Sequence, residues 1–235
     1  MSTGHPIPQL AERGFELQAV LDVTDLPSWA IDPLVAAGFE PTSQSKLVML
    51  GQAGRSLWES MESEGFEAAD RFDEYSIMCV DDWVSQQEPD GNVQVVYPGD
   101  TPIPLGRMGE YVGWGRTSPL GLSIHAEYGP WFAHRIVFLT DIGLAVTARQ
   151  ASEHPCDSCI DKPCVTACPV GAVSADELFD IPTCASHRIS RASECTARCL
   201  ARNACPVGVQ FRYGEAQMQH HYASGLDSIR RYANQ

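Results

Sequence analysis

The sequence predicts an α+β chain divided into a larger N-terminal domain, residues 1–150, and a smaller C-terminal domain, residues 151–235. Helical and strand-like patterns alternate through the first 150 residues. The nine cysteines are unevenly distributed, since Cys79 stands alone and the other eight fall between residues 156 and 205. With 235 residues and 44% hydrophobic content, the chain is long enough to bury a core and to carry a second, small domain.

The elements of the N-terminal domain can be predicted in order. A helical stripe in LAERGFELQAVLDV is formed by Leu10, Leu17, Val20 and Leu21. The runs KLVML (46–50) and NVQVVY (92–97) predict strands, and GRSLWESMES and DRFDEYSIMCVDDWV between them predict helices. One face of the second helix is formed by Phe72, Tyr75, Cys79 and Trp83. Cys79 is therefore expected to be a buried core thiol.

After residue 100, LGRMGEYV predicts a short helix. The extended runs LGLSIH and WFAHRIVFL follow it, and the turn sequence AEYGP connects them. This arrangement predicts two strands that pair with each other.

Charge and hydropathy restrict the classes of function. A formal net charge of −14, from 30 acidic and 16 basic residues, would repel a phosphate backbone and argues against a nucleic-acid partner. The start MSTGHPIPQLAERG lacks the basic and apolar regions of a secretory signal, and no segment has the roughly 20 apolar residues of a membrane span. We therefore expect a soluble, cytoplasmic protein with no membrane partner.

The eight clustered cysteines form two runs that each end in Cys-Pro. The first run is C-x2-C-x4-C-x3-C-P, formed by Cys156, Cys159, Cys164 and Cys168. The second is Cys184 followed by C-x3-C-x5-C-P, formed by Cys195, Cys199 and Cys205. In bacterial two-cluster ferredoxins, the fourth cysteine of each Cys-Pro run ligates the other run's cluster, so eight cysteines hold two [4Fe–4S] clusters.

Structural zinc is the alternative, because zinc sites also use C-x2-C pairs. Zinc gives no reason for a Cys-Pro ending in both runs, or for the similarity of CPVGAV to CPVGV. We therefore favour iron–sulfur clusters. The spacings differ from the ferredoxin pattern C-x2-C-x2-C-x3-C-P, so the pairing of ligands remains open at this point.

The arrangement of Cys168, the segment IPTCASHRIS with Cys184, and a second cysteine run resembles the ferredoxin module of epoxyqueuosine reductases and reductive dehalogenases. In that module, an isolated cysteine replaces one member of the second run. The resemblance implies two ligand sets. One set is Cys156, Cys159, Cys164 and Cys205; the other is Cys168, Cys184, Cys195 and Cys199.

The N-terminal half resembles cobalamin proteins of the same superfamily. The segment VGWGRTSPLGLSIHAEYGPWFAHRIVFLTDIGL (112–144) resembles the cobalamin-binding core of epoxyqueuosine reductase. Within it, SIHAEYGPWFAHR more closely resembles the cblC-type cobalamin-processing protein. The resemblance implies a nitroreductase-like cobalamin-binding domain over residues 1–150, followed by a ferredoxin-like domain over residues 151–235.

A corrinoid is a large, mostly apolar ring, so its site is expected to be a broad apolar cleft with a few polar groups. The expected cofactor-binding residues are Trp114, His125, Tyr128, Gly129, Trp131 and Phe132. The aromatic residues among them also fit an ordinary core. His125 could contact the ring, assist a displaced upper ligand or serve the structure, and we favour proximity to the ring. Asp100 lies roughly where epoxyqueuosine reductases carry a proton-donating aspartate, but it also fits a turn aspartate. His125 and Asp100 are the candidate catalytic residues.

Together, the two resemblances imply a corrinoid-binding iron–sulfur reductase. Two [4Fe–4S] clusters would pass electrons singly to cobalamin, either to remove its upper ligand reductively or to reduce a small substrate through Co(I). An external flavoprotein or ferredoxin would supply the electrons. One alternative is an epoxyqueuosine-reductase-like enzyme, which the net charge of −14 disfavours. The other is a plain electron-transfer ferredoxin whose N-terminal domain docks partners.

Overall fold

The structure is a computed structural model that describes residues 4–149, 153–190 and 193–233. The chain forms two compact units, each made from two stretches of sequence. The N-terminal unit consists of residues 1–113 and 132–151, and the C-terminal unit consists of residues 114–131 and 152–235. The segment 114–131 is thus part of the unit that carries the clustered cysteines, although it lies within the first 150 residues.

A four-stranded antiparallel sheet forms the centre of the N-terminal unit, with the strand order β1-β2-β6-β3. Its strands, numbered along the whole chain, are β1 (Leu17–Asp22), β2 (Lys46–Ala53), β3 (Val93–Tyr97) and β6 (Phe132–Thr140). Its helices are α1 (Pro8–Glu12), α2 (Ser28–Ala36), α3 (Ser56–Ser63), α4 (Arg71–Gln87) and α5 (Leu105–Val112). The combination of separate helices with an antiparallel sheet agrees with the predicted α+β class.

The core of this unit lies between the central strands and the long helix α4. Strand β2 buries every residue from Leu47 to Ala53, which is typical of a central strand covered on both faces. The side chains that α4 buries include Phe72, Tyr75, Cys79 and Trp83. The predicted apolar face of this helix is therefore confirmed. Cys79 is fully buried, and burial raises the pKa of its thiol to about 12, as expected for an unreactive core thiol.

The helix predicted from Leu10, Leu17, Val20 and Leu21 is wrong. Helix α1 ends at Glu12, and strand β1 begins at Leu17. Gly14 separates the two elements with a φ of +94°, which glycine adopts readily, and a side chain there would collide with the backbone of Leu57. Beyond Gly14 the chain pairs with β2, a long-range contact that local periodicity does not reveal.

The predicted pairing of LGLSIH with WFAHRIVFL is also wrong. Strand β6, which contains the second run from Phe132 onward, lies between β2 and β3 and pairs with both. The first run contributes only β5 (Ser123–Ile124), which pairs with β4 (Arg116–Thr117). The AEYGP turn closes an isolated bridge between His125 and Gly129. Both hydrogen-bonding edges of β6 are occupied by longer strands, so a local hairpin has no edge on which to form.

The C-terminal unit is built mainly from short helices. They are α6 (Pro155–Ser158), α7 (Pro163–Thr166), α8 (Ile181–Ile189), α9 (Leu200–Asn203) and the longer α10 (Glu215–Ala233). One small core cluster consists of Leu120, Ile124, Val173 and Ala201, and four of the cysteines pack against it. Within the residues that the structure describes, no helix has the length and apolar character needed to cross a membrane.

Candidate metal centres

Four thiols from both cysteine runs line one cavity in the C-terminal unit. They belong to Cys156, Cys159, Cys164 and Cys205. The other lining residues include Pro119, Leu120, Ile124, Pro155, Pro163, Pro206 and Val207, which are apolar. Pro155 and Pro163 each begin a short helix one residue before a cysteine, at the helical position that proline favours.

The thiols around this cavity also interact electrostatically. Burial raises the pKa of Cys156 to about 11, and the nearby thiols of Cys205, Cys164 and Cys159 contribute to the rise. Burial likewise raises the pKa of Cys164, to which Cys205 and Cys159 add, and that of Cys205, to which Cys159 adds. These four thiols, which we call the first thiol group, are therefore close neighbours.

A second thiol group lies elsewhere in the same unit and consists of Cys168, Cys184, Cys195 and Cys199. Burial raises the pKa of Cys184 to about 11, with further contributions from Cys199, Cys168 and Cys195. The pKa of Cys195 is raised by burial and by Cys199 and Cys168. Helix α8 carries Cys184 in its first turn, where the side chain of Asp180 caps the helix by accepting from the amide of Thr183 at 2.9 Å.

The two thiol groups have the same members as the two ligand sets that the resemblance implies. Each group contains a cysteine from the Cys-Pro ending of the other run, since Cys205 joins the first group and Cys168 joins the second. All eight cysteines are free of disulfide bonds. They are therefore available as thiolate ligands.

This donor set fits an iron–sulfur cluster. No three His, Cys, Asp or Glu side chains within the described residues are placed to hold one metal ion. A four-iron cluster instead takes one thiolate on each iron, so its ligands surround a volume rather than converge on a point. The four thiols of the first group, spaced around an apolar cavity, have this arrangement.

The candidate residue His125 directly follows Ile124 in the sequence. Ile124 lines the cavity of the first thiol group, which we call the first cavity. His125 and Gly129 exchange two backbone hydrogen bonds of 3.0 Å. The imidazole Nδ1 of His125 accepts from the amides of Glu127 at 3.0 Å and Tyr128 at 3.2 Å. Burial lowers the pKa of His125 to about 4, so near neutral pH the ring is uncharged with its proton on Nε2. The Nδ1 atom therefore stabilises the turn.

Two of the six predicted corrinoid residues are used in packing within the C-terminal unit. Trp131 is fully buried, and its ring lies 5.4 Å from that of Tyr213 and 4.7 Å from the guanidinium of Arg202. Gly129 has a φ of +57°, and a Cβ atom there would collide with the carbonyl oxygen of Val207. Both residues are buried in this packing, and their contact with a corrinoid stays a prediction.

The other predicted residues lie in different environments. Trp114 and Phe132 are 7% and 8% exposed. His125 and Tyr128 are half-buried, and their rings lie 4.6 Å apart. Asp100 is exposed in the turn after β3, and it belongs to the N-terminal unit, as does Phe132. Tyr128 and His125 are thus the two candidates of the C-terminal unit with accessible surface, and His125 directly follows Ile124, which lines the cavity.

Sequence reasoning missed two cations near the thiols, Lys162 and Arg188. Each donates a hydrogen bond to the backbone carbonyl oxygen of a cysteine, Lys162 to Cys159 and Arg188 to Cys195. Lys162 lies inside the first cysteine run, and Arg188 lies about one helical turn after Cys184. Proximity to cysteines in the sequence was the signal that could have identified them.

Among solved structures, an epoxyqueuosine reductase with a tRNA-Tyr epoxyqueuosine-modified tRNA stem loop gives a TM-score of 0.54 at 14% identity. The match covers 91% of this chain and 67% of that chain. This chain shares its fold with epoxyqueuosine reductase. The Bacillus subtilis epoxyqueuosine reductase, in a structure whose catalytic loop is swung out of the active site, gives 0.52 at 14% identity and covers 88% of this chain and 66% of that one.

The chain therefore spans about two thirds of the length of these structures. A B12-trafficking protein CblC from C. elegans gives a TM-score of 0.40 at 12% identity, covering 94% of this chain and 91% of that chain, which is too low to establish a common fold. No protein-family model and no curated protein matches the sequence.

Proposed function

We propose that this chain is an oxidoreductase that holds two [4Fe–4S] clusters and passes electrons to a corrinoid. The observation that carries the proposal is the division of eight free thiols into two groups of four, each with one cysteine contributed by the other run. When bound, such clusters supply one-electron transfers at potentials that their surroundings set. The fold shared with epoxyqueuosine reductase supports a redox role.

The chain's own residues have separate parts in this proposal. The first thiol group holds one cluster, and the apolar walls formed by Leu120, Ile124 and Val207 exclude water from it. The second thiol group holds the other cluster. Because Cys205 and Cys168 each join the group of the other run, the two runs are fastened together, and the positions of the clusters in this unit are fixed.

The corrinoid is proposed as the electron acceptor, with His125 and Tyr128 as its contacts. The support is the resemblance of SIHAEYGPWFAHR to cobalamin proteins, and the position of His125 immediately after Ile124 in the wall of the first cavity. An external flavoprotein or ferredoxin would reduce the clusters. The roles of Trp114, Gly129, Trp131 and Phe132 at the ring and of Asp100 as a proton donor remain predictions.

The test begins with anaerobic reconstitution of the full chain, which should incorporate about eight irons because each cluster contains four. Cys205→Ser should then remove the cluster of Cys156, Cys159 and Cys164, whereas Cys168→Ser should remove the other cluster. Cys79→Ser, which alters the core thiol of the N-terminal unit, is the matched control and should retain all the iron. Stoichiometric zinc, or damage confined to each substituted cysteine's own run, would contradict the two-cluster assignment.

A second experiment tests the acceptor. Reduced protein is titrated anaerobically with hydroxocobalamin while the absorbance of the clusters and of the corrinoid is followed together. We expect the clusters to reoxidise as the cobalt is reduced, and the corrinoid to remain with the protein through gel filtration. A corrinoid that passes through unbound, while other acceptors reoxidise the clusters, would favour the plain ferredoxin. The packing of Trp131 and Gly129 within the C-terminal unit is the observation that favours the plain ferredoxin as a second candidate function.

A further inference from the structure

Each thiol group has a cation fixed against its backbone. Lys162 lines the same cavity as the first thiol group, and its Nζ donates to the carbonyl oxygen of Cys159 at 3.3 Å. In the second thiol group, Nε of Arg188 donates to the carbonyl oxygen of Cys195 at 3.4 Å. The same arrangement, a cation bonded to a cysteine carbonyl, thus occurs at both candidate clusters.

Lys162 stands at the start of a short helix, whereas Arg188 makes further side-chain contacts. Lys162 has a φ of +37° and a ψ of +61°, and it precedes the short helix that carries Cys164. It belongs to the x4 spacing, which is two residues longer than the ferredoxin spacing. Arg188 also donates from a terminal guanidinium nitrogen to the carbonyl oxygen of Tyr222 at 3.0 Å, and its guanidinium carbon lies 4.8 Å from the centre of the Tyr222 ring.

The positive charges act on the thiols of their own group. Lys162 and Arg188 are each hydrogen-bonded to the backbone of a cysteine in their own group, so each charge lies close to those thiols. A cation that stabilises negative charge on thiolates also stabilises a reduced cluster, because reduction adds one electron to the same site.

We propose that Lys162 and Arg188 set the reduction potentials of the two clusters, each raising the potential of the cluster bound by its own thiol group. This inference rests on the proposed function and adds residues that are not ligands. Removing either charge should lower the equilibrium constant for one-electron reduction of that cluster on the order of tenfold. For a one-electron couple, this corresponds to a shift of about 59 mV toward more negative potential. The larger shift is expected for Arg188, because it is held at more points than Lys162.

The experiment is a redox titration of the full chain, reconstituted anaerobically and followed by electron paramagnetic resonance, with dithionite supplying the electrons. Lys162→Met should lower one of the two midpoint potentials, and Arg188→Met should lower the other. Lys162→Arg keeps the charge and should leave both potentials in place. Arg231→Met removes an exposed charge near the end of α10 and serves as the control for net charge.

Lys162→Gln is a second neutral variant, and its side chain can still donate to the carbonyl oxygen of Cys159. It should lower the same midpoint potential, and it replaces Lys162→Met if that variant does not assemble its cluster. Unchanged potentials in chains that contain about eight irons would overturn this inference alone. Equal shifts of both potentials, matching the Arg231→Met control, would also overturn it. Iron is measured before each titration, so an unaltered chain without two clusters would be recognised as a failure of the proposed function, and the inference would fail with it.

Discussion

The two units contain cysteines in opposite settings. In the N-terminal unit, Cys79 is one buried side chain in a large core that includes Val48, Leu50 and Phe138, all fully buried. In the C-terminal unit, by contrast, one core cluster has four buried residues, and cysteines such as Cys156 and Cys199 form part of its surroundings. Small apolar cores rarely stabilise a fold without disulfides or metals. The comparison predicts that apolar burial stabilises the first unit, whereas the second would also need the clusters proposed for its thiols.

Iron removal should have the largest effect, because the proposed clusters would supply folding free energy to a unit whose apolar clusters are small. After anaerobic treatment with a chelator and an oxidant, we expect trypsin to cleave after Arg202 and also after Arg116. Sites in the N-terminal unit, such as Arg71 and Arg135, should remain protected. Mass spectrometry of the fragments, with iron-loaded protein as the control, provides the measurement.

Cleavage at Arg116 tests whether the segment 114–131 unfolds together with the rest of the C-terminal unit. Arg116 belongs to the segment 114–131, which is part of the C-terminal unit, and it forms an ion pair with Asp157 at 2.6 Å. Continued protection of Arg116 after iron removal would mean that this segment is held by the N-terminal unit instead.

A substitution in the larger core should have an effect of intermediate size. Phe138→Ala should lower the free energy of unfolding of the N-terminal unit by about 3–5 kcal/mol, since it removes a fully buried aromatic ring and leaves a cavity. Iron content should stay at that of the unaltered chain. Denaturant unfolding and iron analysis of the same samples test this, with Leu120→Ala in the smaller core as the matched variant. Loss of iron from Phe138→Ala equal to that from Leu120→Ala would show that the two units do not depend on different forces.

The smallest effect is expected at the isolated cysteine. Cys79→Ala removes only a sulfur atom from the core and should cost about 1 kcal/mol of unfolding free energy. It should leave the absorbance and iron content of the clusters unchanged. Visible spectra recorded during denaturation would detect any coupling. A visible change at the clusters would contradict the separation of Cys79 from the redox chemistry.

The sequence by itself determined which residues could be metal ligands. Cysteine density and the two Cys-Pro endings single out eight of the nine cysteines, and helical periodicity places Cys79 in a core. These signals are local, because residue type and spacing along one element suffice to produce them. The apolar face of α4 and the strand β2 could be predicted for the same reason.

Only the tertiary structure decided which segments meet. Cys164 and Cys205 share a cavity although they are distant in sequence, and the spacing of either run leaves that pairing open. Strand β6 pairs with β2 and β3 rather than with its neighbour in sequence, and residues 114–131 join the C-terminal unit. Trp131 is an aromatic residue of the kind that lines ligand sites, yet in the structure it packs against Tyr213. Burial and pairing depend on free-energy differences between whole arrangements of the chain, which periodicity and spacing do not contain.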